Sequence, residues 1–182
     1  MKTIFVKWFE TIQLTLSYVN KTNLSLFTTI KPSIFETNSF LCKNEPSLIE
    51  YAAFYGSIQI FQFLKLNNVR MTSSLWYYAI HSQNAELIHL LEEICIQPLK
   101  NLYSNCYDES VKCHHNDFAN YFQDNYLNMK DKPNYKCICK YYNYNYIPNE
   151  FTNNDIFYYL CYYNYYELVD LYIKQKQKLL KL

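Results

Sequence analysis

The chain has 182 residues, a formal net charge of +1, half hydrophobic residues and 18% charged ones. That supplies enough apolar material for a core, which argues against disorder, and too little net charge for a general basic field that would hold nucleic acid or anionic lipid. A single glycine, Gly56, excludes the glycine-rich phosphate cradles of nucleotide-dependent enzymes.

In chain order, residues 3–16 and 18–30 read as amphipathic helical segments, and Lys31-Pro32-Ser33 reads as the start of a new element. Residues 1–43 are therefore expected to form an N-terminal helical cap or a degenerate repeat. Lys7 and Glu10 interrupt any secretory apolar stretch, and no run reaches the roughly 18 apolar residues that span a bilayer. The seven cysteines, odd in number and unevenly spaced, suit reduced thiols. A cytoplasmic or nuclear protein without a membrane partner is the expectation.

From residue 44 the chain repeats itself. Ser47-Leu48-Ile49-Glu50-Tyr51-Ala52-Ala53-Phe54-Tyr55-Gly56 is echoed by Ser74-Leu75-Trp76-Tyr77-Tyr78-Ala79-Ile80-His81-Ser82-Gln83, and fainter copies surround Ser110 and Leu160. The leading positions 52, 79, 110 and 160 are separated by 27, 31 and 50 residues, so the last interval has room for a further degenerate unit. Each unit reads as a short helix, a turn at Gly56, Gln83, His114 or Asn164, and a longer helix. Ser47, Ser74 and Asp155 are the expected caps of the short helices. Asn67-Asn68 is the expected stop of the first long one. Self-similarity of this kind predicts an all-α stack in which each unit buries its apolar face on a neighbour. Residues 44–125 hold three units, 126–150 a linker or degenerate unit in which Met129-Lys130-Asp131-Lys132-Pro133-Asn134 is the strongest linker signal, and 151–182 a last unit. The segment Tyr141-Tyr142-Asn143-Tyr144-Asn145-Tyr146 is low in complexity and fits loop, strand or distorted helix. The lysines at 174, 176, 178 and 181 fit a solvated helix end.

These units resemble ankyrin repeats, with Ser47, Leu48, Ile49 and Glu50 standing at T-P-L-H, Ala52 and Ala53 at A-A, and Gly56 at the glycine. Gln59-Ile60-Phe61 and Phe63-Leu64 stand at the outer-helix positions, and Asn68 takes the place of the terminal glycine. The wording is similar to divergent ankyrin-like proteins of protists that carry a domain of uncharacterised function. Pro and His are absent from every T-P-L-H window. The resemblance implies an ankyrin-like helical solenoid that binds a protein partner on its concave face without catalysis or cofactor.

The two positions before each turn vary while the framework persists, which is the pattern of a partner-reading surface. They are Phe54, Tyr55, His81, Ser82, Lys112, Cys113, Tyr162 and Tyr163. Ala52, Ile60, Phe61, Leu64, Ala79, Leu87, Ile88 and Leu91 are expected in the core. The alternative reading is a metal-stabilised or thiol-dependent protein built on Cys113, His114, His115, Cys137 and Cys139, residue types that bind zinc. The Cys-x-Cys spacing is tighter than the usual ligand loop, and the Cys113 group is expected within a repeat helix.

Overall fold

In the computed structural model, residues 17, 21, 23, 25–32, 34, 36–94, 101–127, 134–149 and 154–179 are described. The segment 3–16, residues 18–20, 22 and 24 of the segment 18–30, Cys95 and residues 128–133 of the expected linker lie outside them. Among the described residues the secondary structure is helical, apart from one isolated bridge between Thr29 and Ser47. The chain divides into two compact units, Met1–Leu102 and Tyr103–Leu182.

The first unit contains α1 (Ser39–Asn44), α2 (Leu48–Phe54), α3 (Ile58–Leu66), α4 (Leu75–Ser82) and α5 (Ala85–Glu93). No element starts at the described Lys31 and Pro32; α1 starts at Ser39, where the Asn38 side chain accepts from the Phe40 and Leu41 amides at 2.9 and 3.3 Å. Helices α2 and α3 form one antiparallel pair and α4 and α5 the next, and the short helices α2 and α4 pack side by side. Ala52 and Ala79 are fully buried, as that close approach requires, and Ile60, Phe61, Leu64, Leu87, Ile88 and Leu91 fill the layer behind them. The spacing of those apolar residues on α3 and α5 is the helical i, i+1, i+4 stripe.

The caps of the short helices are linked through one carboxylate. Glu50 accepts from the Ser47 amide and hydroxyl with Oε2, both at 2.8 Å, and from the Ser74 hydroxyl with Oε1. A residue in the first turn of α2 thereby holds its own cap and the residue preceding α4 together. Ser74 itself has helical backbone angles, so its hydroxyl serves this bond rather than capping the amides of α4.

The second unit contains α6 (Leu102–Lys112), α7 (Asn116–Tyr126), α8 (Tyr135–Lys140), a 3-10 turn (Tyr144–Tyr146), α9 (Asn154–Tyr162) and α10 (Tyr166–Leu179). The expected cap Asp155 instead lies in the first turn of α9, which already begins at Asn154. The low-complexity tyrosine segment becomes a turn and the 3-10 element, standing where the other pairs carry a long helix. Around α8, α9 and α10 the buried cluster is Cys139, Ile156, Leu160, Tyr165 and Tyr172.

One backbone device recurs at every short-to-long helix turn. Gly56, Gln83, His114, Tyr142 and Asn164 all have positive φ, between 55° and 65°. At Gly56 the turn closes with Gly56 N–H donating to Ala53 O at 3.0 Å and Ser57 N–H to Ala52 O at 2.9 Å. The same pair of bonds recurs at His114, Tyr142 and Asn164, and satisfies carbonyls that the helix end leaves open. At Gln83 the Ser82 hydroxyl substitutes for the second bond, donating to Ala79 O at 2.7 Å and accepting from Asn84 N–H at 3.1 Å. Asn67 and Asn68 end α3 as expected, with Asn68 at φ 56°.

Left-handed backbone costs a residue with a Cβ about 1–2 kcal/mol. A Cβ on Gly56 would meet its nearest neighbours at an ordinary 3.5 Å, so the penalty there is conformational. Gly56→Ala should therefore lower stability by about 1 kcal/mol. Replacing the exposed Gln83 by Gly should raise it by about 0.5–1 kcal/mol. Thermal unfolding of the two variants beside the parent checks both signs.

Candidate partner-binding face

After three of the left-handed positions, Gln83, Tyr142 and Asn164, the next residue reaches back to the preceding turn. Asn84 Nδ2 donates to Gly56 O at 3.4 Å, while its Oδ1 caps α5 by accepting from Glu86 N–H at 3.0 Å. Asn143, almost fully buried, donates through Nδ2 to Val111 O at 2.9 Å and Asn116 Oδ1 at 2.8 Å. Tyr165 Oη donates to Cys139 O at 2.8 Å. Because the turns are gripped in this way, the residues immediately before them are held on a fixed frame.

In the first unit that frame brings two of the expected partner-reading residues together. The Phe54 and His81 rings stack with centroids 5.1 Å apart. Phe40 of α1 lies over both, 6.1 Å from Phe54 and 4.2 Å from His81, and meets Tyr78 edge-on at 5.0 Å. Tyr55 turns the other way: with Tyr51 it donates to Glu36 Oε2, at 3.4 and 3.2 Å respectively. Burial foremost, with that carboxylate adding to it, pushes both phenols above the ordinary tyrosine value. Ser82 is engaged in its own turn. Phe54, Tyr55, His81 and Ser82 are thus partly covered by one another and by α1 and its preceding loop. Phe40 and Glu36 were outside the sequence pattern because neither belongs to a repeated unit.

In the second unit Lys112 pairs with Glu109, at 2.7 and 2.9 Å to its two oxygens, and lies 5.9 Å from the Tyr141 ring centroid. Tyr162 is 65% exposed and stacks on the equally open Tyr158 at 6.1 Å. Tyr163 opens into a cleft of about 440 Å³ whose lining also includes Tyr142, Tyr144, Asn164, Tyr165, Tyr166, Glu167 and Leu168. Tyr142, Tyr144, Tyr166 and Glu167 were not singled out from sequence. A signal for the first two existed in the spacing: Tyr142 stands 28 residues after His114, inside the 27-to-31 range of the earlier turns.

The residues of the metal or thiol alternative are differently placed. Cys113, His114 and His115 form the turn after α6 rather than part of a helix, and His115 precedes the first residue of α7. Cys113 Sγ faces Glu109 Oε1 at 3.9 Å, Cys137 Sγ donates to Asp108 O at 3.4 Å, His114 Nε2 contacts Tyr141 O at 2.8 Å, and Cys139 is fully buried. Among the described residues, no three of the five bring ligand atoms within reach of one ion. Burial pushes the Cys113 and Cys137 thiols up to about 12 and the Cys139 thiol to about 11. Burial of this kind disfavours the thiolate, the form that nucleophilic attack uses.

Asp108 repeats the arrangement of Glu50. Each lies six residues before a left-handed turn position, and Asp108 Oδ2 accepts from Nδ2 of Asn134, the cap of α8, at 2.7 Å. Burial raises the Asp108 pKa above the usual carboxylate value of 3.8, against the lowering effect of the Asn134 bond and with nearby Glu109 adding to the rise.

No helix among the described residues is long and apolar enough to cross a membrane. Comparison with protein-family models, curated proteins and solved structures gives no match.

Two expectations follow from this polar framework. Asn143→Ala should cost about 1–3 kcal/mol, because it removes two hydrogen bonds at an almost fully buried side chain, whereas Tyr165→Phe should cost about 1 kcal/mol, because it removes one; Val111 O and Cys139 O keep the His114 and Tyr142 amides. Denaturant unfolding of the two variants distinguishes these magnitudes. A carboxyl raised in the fold binds its proton more tightly there than when unfolded, so its contribution to stability falls as pH rises from 3.8 through the folded-state pKa. Asp108→Asn, which keeps an acceptor for Asn134, should gain stability relative to the parent across that window and hold a constant advantage above it. Unfolding curves measured from pH 3.5 to about 8 test the sign.

Proposed function

We propose that the chain is a non-catalytic protein-interaction module: a divergent ankyrin-like array that meets its partner through the side chains preceding its left-handed turns, with no cofactor. The observation that carries this reading is the common register of those turns. In every pair the same backbone device sits at the same place relative to the buried small or aliphatic position, and the variable residues fall just before it. The tie from Glu50 to the residue preceding the next short helix supports an ankyrin-like stack, since it joins successive units at the T and H positions of the motif.

Of the two units, the second carries the more accessible side chains before its turns. Tyr158 and Tyr162 present stacked rings to solvent, and tyrosine supplies large contact area with little conformational entropy to lose. Phe54 and His81 offer a ring edge beneath Phe40, so their part in binding is shape rather than insertion.

Substituting Tyr158 and Tyr162 together by Ala should change stability by no more than about 0.5 kcal/mol per site, because both rings are exposed. It should also abolish retention of at least one protein that the parent captures from lysate, read by mass spectrometry. Equal capture by parent and variant would remove this face from the proposal.

A further inference from the structure

The tyrosine cleft of the second unit has a definite chemistry. Tyr142 and Tyr144 form one wall, from the turn after α8. Tyr163, Tyr166, Glu167 and Leu168, at the entry to α10, form the other. Tyr165 is the floor: it is buried, its hydroxyl is tied to Cys139 O, and its ring centroid lies 5.8 Å from those of both Tyr142 and Tyr144, at interplanar angles of 37° and 72°. Three of the rim tyrosines are open to solvent, Tyr142 at 56%, Tyr144 at 60% and Tyr166 at 75%. The cleft therefore presents ring faces and edges in several orientations over an anchored base.

Glu167 is the ionisable carboxylate in the lining, and the remaining lining groups are phenols, an amide and a leucine. Lys140 is close enough for its charge to act on the Tyr163 phenol, but its Nζ lies 5.2 Å from the Tyr141 centroid, and Lys112 is paired with Glu109 beside the same ring. Neither Tyr141 nor these lysines lines the cleft. An anion drawn to the amide end of α10 would meet the Glu167 carboxylate and the negative faces of the rings. A wholly apolar occupant would cover that carboxylate without compensating it, which is unfavourable. A cation matches both features, since aromatic faces attract positive charge and a carboxylate pairs with it. The same unit already uses the first contact internally, where Lys176 Nζ lies 5.6 Å from the Tyr172 centroid.

We propose that this cleft receives a cationic side chain, arginine in preference to lysine, carried on an extended segment of a partner protein. Arginine fits better because its planar guanidinium stacks on a ring while its N–H fork engages a carboxylate, and it is less strongly hydrated than an ammonium group. The proposal deepens the reading of the chain as a protein-interaction module and rests on it.

The test uses the full chain and three blocked peptides of identical glycine-serine backbone, carrying arginine, lysine or neutral citrulline at the same positions, titrated by calorimetry at about 0.15 M salt. Saturable binding of the arginine peptide is expected, with the lysine peptide weaker and the citrulline peptide weaker by at least about tenfold. Glu167→Gln and Tyr144→Leu, each at an exposed site, should both weaken the arginine peptide by about fivefold or more while leaving the unfolding midpoint in place. Tyr144→Leu keeps an apolar wall and removes the ring face together with its hydroxyl. Equal binding of arginine and citrulline peptides, unchanged binding by both variants, or no saturable binding would overturn the proposal. Loss of lysate capture in the Tyr158/Tyr162 double variant, found alongside such a failure, would leave the interaction role standing and remove only the cation preference.

Discussion

The left-handed turn between the short and long element of each pair is the constraint from which the rest of the fold follows. A residue with positive φ reverses the chain within three positions, and at four of the five turns a backbone hydrogen bond returns to a buried small or aliphatic residue, the Ser82 hydroxyl taking that part at Gln83. Four of the five turns use a residue other than glycine, each carrying a conformational penalty. What offsets it is visible at the turns themselves. The following residue, Asn84, Asn143 or Tyr165, donates to the preceding turn, so one strained position also serves as the anchor for its neighbour.

A second tie acts at the opposite end of the short helices. Glu50 joins Ser47 to Ser74, and Asp108 holds Asn134, both from the position six residues before the turn. With a backward bond at one end and a forward bond at the other, a short helix such as α2 has its register set by polar contacts at both ends. Its middle needs only close packing, for which Ala52 and Ala53 suffice. This explains how helices of six to eight residues, too short to be stable alone, persist here.

Much of this was legible in the sequence because the same backbone need selects recognisable residues. Gly56 and Asn164 tolerate left-handed geometry, and they located the turns whose register then identified Gln83 and His114. Ala52 and Ala79 marked the close approach, and the apolar triplets of α3 and α5 marked the layer behind it. The pair around Tyr142 was not resolved, for a physical reason. Its long helix is replaced by a 3-10 turn, so no i, i+4 apolar stripe follows, and the residue that secures it is a polar one, Asn143, buried by hydrogen bonds rather than by hydrophobicity. Helix α1 was missed because a six-residue segment with one fully buried apolar side chain, Leu41, has no period to detect.

The candidate face shows where such register reasoning ends. The positions before the turns are equivalent in backbone terms at Phe54, His81 and Tyr162, yet their surroundings differ. Phe54 and His81 stack on each other and receive Phe40 from outside the repeats, whereas Tyr162 meets its sequence neighbours Tyr158 and Tyr163 and stays two-thirds exposed. Repetition fixes the direction in which a side chain leaves the backbone; accessibility depends on what a non-repeating element lays over it. The aromatic row of the first unit is thus already covered, whereas the tyrosines of the second stay open. Covering an already stacked ring yields less than burying an exposed one, so of these equivalent positions Tyr162 has the most apolar surface left to bury.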